Sequence, residues 1–424
     1  MSPGALPGFR DFYPAEFAER AHLFTVWRDV AQRFGFVEYD GPPLEALDLY
    51  TKKSGDEIVA QLYEFEDKGK RRVALRPEMT PTLARMVAER ANALRKPVRW
   101  FSIPQLFRYE RQQRGRLREH FQLNLDIIGE PDVTADAELL ASAIEIMRAL
   151  GLTSADVVAR VSDRRLLEDL WTGWGGLKEQ LPTVYRILDK AESDPPATHR
   201  KLLDAGLPDP ASGQIARWAR PLPFDQLAPL FETTTVTERV APLRRYFTLL
   251  DALGVAEWVQ FDLSIVRGLA YYTGIVFELF DAKGELRAIC GGGRYDTLLS
   301  SLGGVDLPAL GFGMGDVVLG ELLRTRGLMP AAPSALDLWV AFAEDEAFPH
   351  ALRIAARLRA RGRRVEYALG GQKLARQLKA ADAAGAPLAL VVSLEGAQKG
   401  EAMLRDLRAG SEHRVSVETW IDSQ

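Results

Sequence analysis

A chain of 424 residues, at a soft prior of roughly 150 residues per domain, predicts two or three domains. An apolar share of 47% and a charged share of 26% are ordinary globular values and exclude disorder, fibrous repeats and collagen-like structure. A net charge of −4 argues against indiscriminate binding to polyanions and leaves nucleic acid only to local patches. The longest apolar runs, such as 387–394, are strand-sized, far below the roughly 18 residues of a membrane span. The opening MSPGALPGFRDFYP has neither the basic nor the apolar region of an export signal. One cysteine, Cys290, and five scattered histidines give neither an internal disulfide nor zinc-ligand spacing. A soluble cytoplasmic protein with no membrane association and no protein-bound structural metal is expected. No GxxxxGK[ST] is present, and Gly291-Gly292-Gly293-Arg294 does not continue into GxGxxG, so neither a P-loop enzyme nor a dinucleotide dehydrogenase is supported.

In chain order, Leu23, Phe24, Trp27, Val30, Ala31 and Phe34 recur at helical spacing after Pro14, and Gly35 stops the pattern. Thr80-Pro81 reads as an N-cap followed by proline at the first helical position, leading into LARMVAERANAL. From Val98 to Gly129 the period changes to two, with His120, Gln122, Asn124 and Asp126 on one face and Phe121, Leu123, Leu125 and Ile127 on the other. A helix follows over 134–150. Residues from about 152 to 255 read as short helices broken by proline and glycine, an inserted module. Strand character returns over Trp258 to Phe280 and near Ala288, before the helical GDVVLGELLRTRG. A linker, PAAPS at 330–334, separates a last unit whose strands and helices alternate as in an α/β layer fold. The domains expected are 1–330, interrupted by the insertion, and 335–424.

The chemistry concentrates in FRYERQQRGRLREHFQLNLDIIG, 107–129. Two extended segments flank a loop carrying Arg111, Arg114, Arg116 and Arg118, with Arg108 and Glu110 on one face of the first strand. Such a hairpin offers guanidinium forks to a polyphosphate beside a polar strand able to hold a small zwitterion. Charge alone fits a solvated basic hairpin as well. The uninterrupted polar face favours a strand that lines a cavity or faces water.

FRYE, the arginine-rich loop and a second strand ending in an acid resemble motif 2 of the class II aminoacyl-tRNA synthetases. Further segments are similar to the histidine-specific family: GFRDFYP near the start, LRPEMTPTLAR at 75–85, VRGLAYYTGIVFE at 266–278, then GGGRYDTLLSSLGG, PALGFGMG and the C-terminal GGQKLARQLKAADAAGA, in the family's order. The resemblance spans nearly the whole chain. It implies an α+β catalytic domain, an antiparallel sheet flanked by helices, with a helical insertion and a C-terminal α/β anticodon-binding domain. It implies Mg-ATP-dependent activation of L-histidine and its transfer to tRNA(His). Residue by residue, it places Glu78, Thr80, Gln122, Asp126, Tyr271, Tyr272 and Tyr295 around histidine. Arg108 falls on the substrate carboxylate and α-phosphate, and Glu110, Arg116 and His120 on ATP. Arg267 is the implied electrophilic catalyst, a fixed positive charge where negative charge builds. Carboxylates suit an α-ammonium and an imidazole N–H. If the segment is extended, adjacent Tyr271 and Tyr272 point to opposite faces, so at most one reaches the substrate directly. GFVEYDGPPLE, with Pro42, resembles the weaker motif 1, a dimer interface in the family, and implies a homodimer.

Three positions depart from the family pattern. Val318 stands where motif 3 ordinarily carries its ATP-clamping arginine, and Arg324, six residues on and about 240° around the helix, cannot simply replace it. His120 occupies the adenine-stacking phenylalanine position, with Phe121 beside it, and Ala270 replaces an acid within RGL-x-YY. Arg116, helped by Arg114 or Arg118, is then the leading candidate for the outer phosphates. Two other readings follow: a catalytically silent, histidine-binding regulatory paralogue of histidine biosynthesis, and a tRNA-binding module without catalysis. From 334 onward 13 Lys+Arg meet 12 Asp+Glu, so RNA contact rests on clustering such as Arg357, Arg359, Arg361, Arg363 and Arg364, which equally suits a solvated helix end.

Overall fold

Leu23, Trp27, Val30 and Ala31 form the buried stripe of the first helix, Pro14–Arg33, and Gly35, at φ +76°, takes the left-handed conformation that ends it. The computed structural model describes residues 4–51, 59–111, 113–189, 194–227, 236–267, 271–331 and 335–423. The chain divides into two units, Met1–Pro330 and Ala331–Gln424.

The first unit is built on a nine-stranded sheet among the described residues. Its strands are β1 (Val37–Glu38), β5 (Val98–Ser102), β6 (Gln105–Phe107), β7 (Glu119–Ile128), β8 (Val157–Asp163), β9 (Val259–Phe261), β10 (Ile275–Asp281), β11 (Cys290–Arg294) and β12 (Ala309–Gly315). The order is β1-β5-β7-β12-β11-β10-β8-β9, with β6 paired to β7. Every pair is antiparallel except the two at the edges, β1 with β5 and β8 with β9. A small sheet of β2 (Leu44–Ala46), β3 (Tyr63–Glu66) and β4 (Arg72–Leu75) adjoins it in sequence.

Period two sorts the residues of β7 between two environments. Leu123, Leu125 and Ile127 join the main core with the first helix and the helix Thr134–Ala149, while Gln122, Asn124 and Asp126 line a cleft on the opposite face. The inserted stretch expected over about 152–255 begins inside the sheet. Val157, Ala159 and Val161 of β8 alternate as buried residues with Val158 and Arg160, and β8 pairs with β10 along its whole length. Helices Arg164–Gly173, Leu181–Leu188, Pro195–Asp204, Asp209–Trp218 and Thr237–Ala252 follow it. The helix Thr80–Arg90 also starts one residue earlier than expected. Met79 is its N-cap and makes no side-chain cap bond, so Thr80 is the first helical residue and its hydroxyl is left for other partners.

The second unit carries strands β13 (Leu338–Phe342), β14 (Val365–Tyr367), β15 (Leu388–Val392), β16 (Glu401–Asp406) and β17 (Glu412–Ser416) in the order β14-β13-β15-β16-β17. The first three run parallel, and the last two add antiparallel. Helices Phe348–Ala360 and Leu374–Ala383 supply Ala351, Ile354, Ala355, Leu358 and Ala381 to its core.

Candidate active site

The floor of the cleft is glycine. On β12, a Cβ at Gly311 would stand 2.0 Å from Asp126 Oδ1, and one at Gly313 would stand 2.7 Å from the Gln122 amide carbon. On β11, a Cβ at Gly291 would stand 2.2 Å from Arg267 Nη1. No side chain fits at these positions without displacing a polar group, so the glycines hold open a cleft of about 480 Å³ including its mouth. Around it stand Glu78, Thr80, Arg108, Gln122, Asp126 and Arg267, with Tyr271, Tyr272, Tyr295 and Asn124.

Two carboxylates enter from different elements. Asp126 is buried and accepts a hydrogen bond from the Tyr295 hydroxyl. Burial pushes its carboxyl up to about 7, while the Tyr295 bond pulls the other way. Such a group takes or gives up a proton near neutrality, as a cationic or N–H-bearing ligand arrives. Glu78, just before the helix Thr80–Arg90, is buried too, and its Oε2 accepts from the Tyr271 hydroxyl at 3.3 Å. Both adjacent tyrosines line the cleft. The expectation that only one could face the ligand assumed extended backbone, whereas Tyr271 sits in a turn that lets the rings tilt together, centroids 5.0 Å apart at 48°. The preceding signature residues, 268–270, lie outside the described residues.

Arg267 adopts φ +57°, a left-handed conformation that L side chains rarely take. Its guanidinium pairs with Glu278 on β10 and lies over the Tyr272 ring, 5.8 Å from the centroid. Burial alone lowers its pKa, but Tyr272 and Glu278 outweigh that and raise it, so the group stays cationic. Its Nε is buried without a hydrogen-bond partner in the protein. A backbone outlier that aims a permanent cation into a polar cleft is the arrangement expected where negative charge develops.

The hairpin of β6 and β7 brings Arg108, Glu110, Arg116 and His120 to the same end of the sheet, outside the cleft except for Arg108. Arg108 donates to the Pro77 carbonyl at 2.9 Å, and its Nη1 stands 3.9 Å from Glu110. Arg116 pairs with Glu110 at 2.8 Å. Burial, then the charges of Arg108 and Arg10, hold His120 down at about 3, so it is neutral at physiological pH. Phe121 turns the other way, packing against Phe12, Phe24 and the Arg20 guanidinium.

Asn124, read from the alternation as part of the polar face but not named as a ligand contact, also lines the cleft. One feature of the site was not read from the sequence. Arg10, within GFRDFYP, bridges Glu119 at 2.6 Å and Asp316 at 2.9 Å, and Asp316 also accepts from the Phe121 amide. This network ties the N-terminal segment to the start of β7 and to the helix Asp316–Thr325, which gives the aspartate of GFGMGD a structural role. Val318 on that helix is buried, its Cγ2 3.2 Å from where a Cβ on Gly115 of the hairpin loop would stand. Arg324 pairs with Glu19 at 2.6 Å on the first helix and does not replace a missing arginine.

A family model described as Histidyl-tRNA synthetase matches residues 8–315, and one described as Anticodon binding domain matches 337–423. The Histidine–tRNA ligase of Opitutus terrae is 44% identical over 98% of this chain and 96% of its own length. The chain belongs to the histidyl-tRNA synthetase family. The chloroplastic/mitochondrial Histidine–tRNA ligase of Arabidopsis thaliana is 41% identical, covering 97% of this chain and 84% of that one. The fold matches the crystal structure of histidyl-tRNA synthetase from Nostoc sp. PCC 7120 with a TM-score of 0.86 at 26% identity, covering 100% of this chain and 99% of that one.

The arginine cluster of the second unit is largely committed to its own fold. Arg357 pairs with Glu418, Arg361 with Asp422 at 2.5 Å and Arg364 with Asp337 at 2.6 Å, while Arg359 donates to the Val365 carbonyl. Among the described residues no helix is long and apolar enough to cross a membrane.

Proposed function

We propose that this chain joins L-histidine to tRNA(His) in two steps at the cleft. The histidine carboxylate attacks the α-phosphorus of Mg-ATP, the bond to the departing pyrophosphate breaks, and histidyl-adenylate forms. A hydroxyl of the terminal ribose of the tRNA then attacks the activated carbonyl and AMP leaves. The observation that carries the reading is the convergence of two buried carboxylates, three tyrosines and the guanidiniums of Arg108 and Arg267 over a glycine floor.

Glu78 and Asp126 meet the α-ammonium and the imidazole N–H, with Thr80, Gln122, Tyr271, Tyr272 and Tyr295 completing the pocket. An apolar analogue leaves those buried groups unpaired, so discrimination against it is large. Arg108 contacts the carboxylate and the α-phosphate as they become a mixed anhydride. Arg267 stabilises the charge that grows on the α-phosphoryl oxygens. Glu110 and neutral His120 take the adenine side, and Arg116 the outer phosphates. The 337–423 unit reads the tRNA, and the protein works as a cytoplasmic homodimer. A silent histidine-binding regulator is not favoured by the ligase names of the relatives that span the whole chain.

The test is charging: labelled histidine should become attached to tRNA(His), with ATP, through a base-labile ester. Tight histidine binding without any transfer would return the regulatory reading.

A further inference from the structure

Arg287 has no place in the site so far. It lies three residues before β11, at the end of that strand where Cys290 pairs with Met314 and β12 runs on into the helix Asp316–Thr325. Gly115, in the hairpin loop and at φ +75°, approaches both elements there. From the position of its absent Cβ, Val318 Cγ2 stands at 3.2 Å and Arg287 Cδ at 3.7 Å. The Arg287 stem therefore packs near the place where the loop meets Val318, and its charge is close enough to Arg116 and Glu110 to feel both.

The electrostatics there are unbalanced. Arg114 is paired with Glu321 at 2.7 Å and Arg116 with Glu110 at 2.8 Å, whereas no hydrogen bond or ion pair joins Arg287 to another described residue. Three guanidiniums thus meet two carboxylates. Partial burial, then repulsion from Arg116, lower the Arg287 pKa, and Glu110 offsets this only in part. Like charges in excess of their counter-ions disfavour the free protein and favour an anion that bridges them. Of the small-molecule ligands in the proposed reaction, ATP and the pyrophosphate product bring the most negative charge, concentrated on the outer phosphates.

We propose that Arg287 binds the outer phosphates of ATP, reaching from the strand side of the loop the place that an arginine at position 318 would reach from the helix side. The small apolar Val318 is then the counterpart of Arg287: it lets Gly115 approach and leaves the space to a cation delivered by a different element. This inference rests on the ATP-binding reading above, and the readouts separate the two.

The experiment compares wild type, Arg287→Gln and Arg287→Lys in histidine-dependent ATP–pyrophosphate exchange, and by calorimetric titration with ATP and with AMP. Arg287 is exposed, so these variants keep the fold. For Arg287→Gln the KM for ATP and for pyrophosphate should rise about tenfold or more, one charge-assisted bidentate contact being lost. AMP affinity should stay within about twofold, and lysine, a point charge, should rescue in part. An equal loss of ATP and AMP affinity, or no loss of either, overturns the proposal. If wild type gives no exchange, the activation reading fails on its own, and the ATP-versus-AMP comparison still decides whether Arg287 holds the outer phosphates.

Discussion

Replacing Gly291 by alanine tests whether the Arg267 guanidinium must sit where it does. The new Cβ would meet Nη1 at 2.2 Å and Cζ at 2.5 Å. Ordinary contact needs about 3.4 Å or more, so the guanidinium has to retreat by about 1 Å. The obstacle is the far end of a flexible side chain, and both neighbours of β11 in the sheet keep their backbone pairing, so the fold should survive. A misplacement of about 1 Å in a group that stabilises a transition state lowers kcat by roughly 10²-fold. Histidine binding through Glu78 and Asp126 should change far less. Gly292→Ala is the contrast: its Cβ would meet the Gly311 carbonyl at 2.4 Å and the Phe312 Cα at 2.6 Å, which are backbone and cannot retreat. That variant should melt well below wild type or fail to accumulate. Pyrophosphate exchange and thermal unfolding of the two variants, side by side, decide the matter. A well-folded Gly291→Ala protein with wild-type kcat would refute the assigned position and role of Arg267.

Arg267→Lys should lower kcat by roughly 10² or more with little change in histidine affinity, because lysine cannot both keep Glu278 and present a planar fork; near-normal turnover would contradict this. Asp126 gives a pH signature. Its folded value of about 7 lies above the ordinary 3.8, so between those limits the folded chain holds a proton that the unfolded chain has released, and stability falls as pH rises through that window. Asp126→Asn should flatten that part of the curve in denaturant titrations across pH and abolish histidine binding; an unchanged curve would show that Asp126 titrates normally. Val318→Arg should not improve exchange and should destabilise the protein, since it places a further cation beside Gly115, Arg116 and Arg287 in a buried position. A large gain in exchange would mean that the native chain lacks a working phosphate clamp.

Local period carries a great deal of this structure. The alternation over 120–127 separated a polar face of β7 from its core face, because a strand's side chains can only alternate, and Gln122, Asn124 and Asp126 of that polar face line the cleft while His120 lies beyond it. Helix stripes and the βα alternation of the last unit were legible for the same reason. What stayed hidden depends on contacts far apart in sequence. Arg10 with Asp316 and Arg287 with Gly115 and Val318 are joined only by the sheet order. β8 was absorbed into a helical module because seven residues of strand are followed closely by proline- and glycine-broken helices. The tilt of Tyr271 against Tyr272 follows from a turn, which residue alternation does not foresee. The glycines at 291, 311 and 313 were visible as letters, but their purpose appears only when the side chains opposite them are in place.

The central claim is that this cleft activates histidine and no other amino acid. ATP–pyrophosphate exchange measured with each of the standard amino acids in turn tests it most directly. Exchange with histidine alone is the result the account requires. Comparable exchange with a second amino acid, or histidine binding with no exchange at all, would contradict it.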